Sequence, residues 1–125
     1  MRSSWFAALV LLASCARPLD RKKLHAAVND LRAVATEISL VLTQAHTGDS
    51  PAAFVNGQRA FLAARAREAQ SELDRGVEAP ALESDRRHAA EAATRLLPLV
   101  EQARDPRAFD SSIAELSRIE ARVTP

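Results

Sequence analysis

The stretch LHAAVNDLRAVATEISLVLTQA, residues 24–45, carries its apolar side chains on one period. Leu24, Val28, Leu31, Ala35, Ile38, Leu42 and Ala45 alternate steps of four and three without a miss. Residues so spaced share one face of an α-helix, since 3.6 residues complete a turn. Ala27, Val34 and Val41 widen the stripe beyond a coiled-coil seam, so this helix turns a broad face to a core.

Prolines punctuate the chain around it. Pro18, Pro51, Pro80 and Pro106 each precede a segment rich in helix formers, where a missing N–H costs nothing in the first turn. Ser50 and Asp105 stand just before two of them as candidate N-caps, and Gly48 and Gly76 supply breaks upstream. Four helices are predicted, over 19–46, 51–75, 80–103 and 106–123. The third places Leu82, Ala89, Ala93, Leu96, Val100 and Ala103 on one row, interrupted by Arg86. The fourth shows Phe109, Ile113, Leu116 and Val123; the second, less regular, shows Phe54, Phe61, Leu62, Ala66, Ala69 and Leu73. Short connections favour antiparallel neighbours, hence an all-α, up-down-up-down four-helix bundle over residues 19–125. A tetratricopeptide-like array fits less well, because the segments lack a central turn and a repeat consensus. Alanine at many core positions predicts close helix approach, and Pro98 predicts a kink in the third helix.

Composition narrows the chemistry. The 125 residues hold three Gly, no Tyr, one Trp and one Cys. Formal net charge is +1 with signs interspersed, which leaves no electrostatic footprint for nucleic acid. A lone Cys excludes an internal disulfide. His25 and His46 lie roughly 30 Å apart on one helix and cannot share a ligand. His25 and His88 fall at one end of a bundle, so bis-His haem ligation is the only haem geometry left, without an attachment motif. Asp85, His88 and Glu91 line one face of the third helix, but a di-iron bundle needs two Glu-x-x-His units and two further carboxylates. No nucleophile elbow or glycine-rich phosphate loop occurs. The expectation is no catalytic residue, no metal and no cofactor.

The amino-terminal residues address the chain. Arg2 precedes the apolar run WFAALVLLA, residues 5–13, which has the length of a signal-peptide h-region and is too short to span a bilayer. Leu12-Ala13-Ser14-Cys15 follows, the one Cys of the chain closing a Leu-small-small-Cys box. This segment resembles the lipobox of bacterial lipoproteins. The resemblance implies that residues 1–14 are a signal peptide, cleaved before Cys15, and that Cys15 is lipidated, by a diacylglyceryl group on its thiol and acylation of the new amino terminus. Residues 15–18 would then be a short tether. The competing reading is a secretory signal cleaved after Ala16. Ala16, rather than Asp, after the Cys resembles the outer-membrane sorting pattern, which places the protein on the periplasmic side of the outer membrane in preference to the inner. The basic run Arg17, Arg21, Lys22 and Lys23 opens the first helix against its dipole, a penalty that anionic headgroups would offset; a solvated helix start capped by Asp20 is the alternative. The expected role is a non-enzymatic interaction or structural module with a possible protein partner in the envelope. A carrier of a small apolar ligand or cofactor within the bundle, opened by the Pro98 kink, is the other reading.

Overall fold

The computed structural model describes residues 17–125; the signal segment and Cys15 lie outside them. Four α-helices follow one another: α1 (Arg21–His46), α2 (Ala52–Leu73), α3 (Glu83–Gln102) and α4 (Asp110–Arg122). Each helix lies against the next, and α4 closes on α1, which makes an antiparallel up-down-up-down bundle. One end, here the entry end, gathers the start of α1, the end of α2, the start of α3 and the end of α4. The far end gathers the opposite termini.

α1 is built as its periodicity dictates. Leu24, Ala27, Val28, Leu31, Val34, Ala35, Ile38, Val41 and Leu42 are all buried, while Ala45 is half-buried at the far end. Asp20 is the N-cap, its carboxylate accepting from the Lys23 N–H at 2.8 Å. The helix begins at Arg21 rather than 19, because Leu19 does other work. Its N–H donates to the Gly76 carbonyl at 2.9 Å and its carbonyl accepts from the Glu78 N–H at 2.9 Å, an isolated parallel bridge to the α2–α3 loop. Gly76 sits at φ +81°, a conformation that only glycine takes cheaply, and Leu19 is fully buried. The chain is therefore riveted to the bundle two residues before its first helix.

The proline signals resolve differently at each site. Pro80 and Pro106 open short 3-10 turns, Pro80–Leu82 and Pro106–Phe109, that lead into α3 and α4. Asp105 caps the second of these by accepting from the Arg107 N–H. Pro51 is itself the N-cap of α2, in extended conformation, and no side chain caps that helix, so Ser50 does not fill the role expected of it. Pro98 lies on the exposed face of α3, which stays helical on both sides of it. Arg86, which interrupts the apolar row of α3, is half-buried against α2.

Arginines close three helix ends from outside. Arg86 donates to the Leu73 carbonyl at the end of α2 (3.0 Å), Arg59 to the Val100 and Ala103 carbonyls at the end of α3, and Arg21 to the Arg122 carbonyl at the end of α4 (3.0 Å). The final carbonyls of a helix have no internal partner and carry its negative pole, so a guanidinium there satisfies both needs. Arg86 also binds Glu83 in a fork, Nη2 to Oε1 at 2.7 Å and Nε to Oε2 at 2.9 Å. That bonding holds the Glu83 carboxyl below its ordinary range, and Arg107 does the same to Asp105. A depressed carboxylate contributes stability above its unfolded pKa and loses it as pH falls through the folded value. The Glu83→Gln, Asp105→Asn double variant should therefore lose less melting temperature than wild type on acidification below about pH 4, the ordinary carboxylate range. Parallel acid profiles would refute this.

Candidate functional site

α2 has two apolar faces, and only one is buried. Leu62, Ala63, Ala66, Ala69 and Leu73 enter the core. Phe54 and Phe61, two turns apart, stand 47% and 57% exposed. Both are expected inside with Leu62; the structure corrects this, because the buried arc of α2 runs through Leu62, Ala63, Ala66, Ala69 and Leu73 and positions 54 and 61 fall outside it. From Ala52 to Ala64 the one charged residue is Arg59, and its guanidinium is turned inward onto α3. The outward side of this half of α2 thus presents Ala53, Phe54, Gly57, Ala60, Phe61 and Ala64, with no charge.

Neighbouring residues frame this face. Arg65 ion-pairs with Glu37 on α1 at 3.3 Å and lies 5.9 Å from the Phe61 ring centroid, in cation–π range. The Arg65–Glu37 pair also fixes the antiparallel register, which brings Leu40, 58% exposed, to the level of Phe61. Along α2 the rise of 1.5 Å per residue puts Phe61 about 18 Å, and Phe54 about 28 Å, beyond Leu73 at the entry end.

A groove of about 360 Å³ opens at the far end. Leu42, Ala45 and Val55 form its apolar base; His46, Arg59 and Arg104 stand around it. The His46 ring Nε2 lies 2.9 Å from the Arg104 carbonyl, which ties the end of α1 to the α3–α4 connection.

The residues singled out from the sequence are dispersed. Arg17, Lys22 and Lys23 are exposed at the entry end; Arg21, although exposed, holds the last turn of α4. Cys15 lies outside the described residues. His25 Nε2 lies 3.6 Å from Glu120, and His88 lines a separate small groove with Glu115, Arg118 and Arg122, its Nδ1 buried without a partner. Asp85 binds Arg122 Nε at 2.8 Å instead of joining His88, and Glu91 is exposed. Among the described residues no three His, Cys, Asp or Glu side chains converge as metal ligands. Among them, too, no helix is long and apolar enough to cross a membrane.

The chain matches no protein-family model, and no curated protein or solved structure shows significant similarity to it.

Proposed function

We propose that this chain is a bacterial envelope lipoprotein, anchored through lipid on Cys15 at the periplasmic side of the outer membrane, whose bundle is a non-enzymatic interaction module. The observation that carries the interaction role is the charge-free outward face of α2 with its two exposed phenylalanines. Single exposed apolar residues are ordinary, but a run of twelve or so helical positions with no outward charge is a sign of a contact surface. Aromatic side chains at the centre of such a face contribute most of the energy of an interface.

Geometry favours a protein over lipid as its occupant. The tether reaches the bundle at the entry end, because Leu19 is pinned there. The phenylalanines sit toward the far end, lifted from the anchored end by several helical turns. The mixed charges between them, Glu37, Arg65 and Glu68, give no net attraction to an anionic surface.

A photo-crosslinking side chain placed at position 61 in intact cells should give a discrete adduct with one protein, and the same probe at the exposed Ala114 of α4 should not. Indistinguishable products from positions 61 and 114 would overturn the assignment. The carrier reading is favoured by one observation, the far-end groove with its apolar base.

A further inference from the structure

We propose that the far-end groove binds a small anionic amphiphile, a carboxylate on a short apolar body. The inference goes beyond the interaction role and depends neither on the lipid anchor nor on the phenylalanine face.

The groove's volume, about 360 Å³, lies at the lower end of the range for small-molecule sites. Its lining separates into two parts. Leu42, Ala45 and Val55 offer an apolar floor continuous with the core, while Arg59, Arg104 and His46 bring the only ionisable side chains, and none of the lining residues is acidic. The nearest acids on the flanking connections are otherwise engaged: Asp105 with Arg107 at 2.9 Å, and Asp49 with the Thr47 hydroxyl at 2.9 Å.

Among the described residues, most arginines of the bundle are in ion pairs or cap carbonyls. Among the described residues Arg17, Arg87, Arg104 and Arg118 have no such guanidinium partner, and of these four Arg104 is the one that lines the groove. Arg59 spends one N–H from each terminal nitrogen on α3 carbonyls, which leaves three of its five donors. Arg104, with the donors Arg59 has left, beside an apolar floor fits a carboxylate head, because a guanidinium and a carboxylate form the strong class of hydrogen bond. An uncharged or cationic ligand of the same size would gain from the floor alone and leave the guanidinium groups unanswered.

The test is titration of the full chain carrying Cys15→Ser with octanoate, octanol and octylammonium, followed by amide NMR shifts. Octanoate should give saturable shifts at Ala45, Ala52–Val55 and Arg104, with octanol at least tenfold weaker and octylammonium weaker still. Arg104→Glu should weaken octanoate about tenfold or more while spectra elsewhere stay unchanged, since that exposed side chain supports no other contact. Ala45→Met, which fills the floor, should weaken octanoate and octanol together. Absence of saturable shifts with octanoate up to about 10 mM, a Kd corresponding to under 3 kcal/mol, would overturn the proposal. So would equal binding of octylammonium, or unchanged octanoate affinity in Arg104→Glu.

Discussion

Replacing Phe109 with alanine should lower the stability of the bundle by about 3–5 kcal/mol, a large share of the 5–15 kcal/mol typical of a domain. Phe109 is fully buried and is the largest side chain of the core. It stands at the end of the 3-10 turn Pro106–Phe109, which touches α1, α3 and α4, and the Ser39 hydroxyl holds that turn through the Pro106 carbonyl at 3.3 Å. Truncation removes the largest buried side chain where that turn meets three helices and leaves a void that rigid helices cannot collapse into. At 4–8 °C per kcal/mol for a domain near this size, the melting temperature should fall by more than about 12 °C. Phe61→Ala supplies the contrast. Its ring is more than half exposed, so the change should stay within about 0.5 kcal/mol. Equal losses from the two substitutions would mean that α2 is rotated from the orientation described.

That contrast marks where the sequence was legible. The stripe of α1 is apolar on one face and polar on the other, so period alone selects the buried side, and nine of its positions are buried as read. The fourth segment is similar: Leu116 within α4 and Phe109 and Val123 at its two flanks are buried, though Ile119 and Ser112 share the core and Ile113 is only half-buried. α2 offers two candidate stripes, one through Phe54 and Phe61 and one through Leu62, Ala66, Ala69 and Leu73. The sequence pattern does not separate the two, whereas the fold buries the stripe with the alanines and leaves the phenylalanines outside. Helix packing selects small residues where axes come close, a demand set by the partner helices and invisible in a single segment. The signal for the exposed face was nevertheless present, in the near absence of charge around the whole circumference of residues 52–64.

Arg86 and Leu19 were obscure for a related reason. Each earns its place through a distant carbonyl, Leu73 for Arg86 and Gly76 for Leu19. Local pattern shows a charge interrupting an apolar row and a leucine before a helix. It cannot show that the α2 terminus and the α2–α3 loop arrive beside them. The far-end groove is of the same kind, since its base comes from α1 and α2 and its Arg104 from the α3–α4 connection.

Cys15→Ser should move the protein from the membrane fraction to the soluble periplasmic fraction, in near-complete amount. The expectation rests on the Leu12-Ala13-Ser14-Cys15 box and on the lack, among the described residues, of any helix fit to cross a bilayer. Acyl chains bury about 0.8 kcal/mol per methylene; one myristoyl-length chain holds reversibly, and two or three hold for the lifetime of the protein. Without the thiol no thioether to diacylglycerol forms, and the basic residues Arg17, Lys22 and Lys23, worth about 1 kcal/mol each beside anionic headgroups, are too few to hold the bundle at the membrane alone. The pinned Leu19 sharpens the expectation. Four residues from Cys15 reach at most about 14 Å, so on the proposed lipid anchor the entry end would lie against the headgroups and the far end would point away. Lengthening the tether by twelve Gly-Ser residues after Pro18 should leave fractionation unchanged while freeing the entry end. Retention of the Cys15→Ser chain in washed membranes at wild-type level would refute lipid anchoring, and loss of the lengthened chain from those membranes would show that the bundle surface, rather than the lipid, carries the attachment.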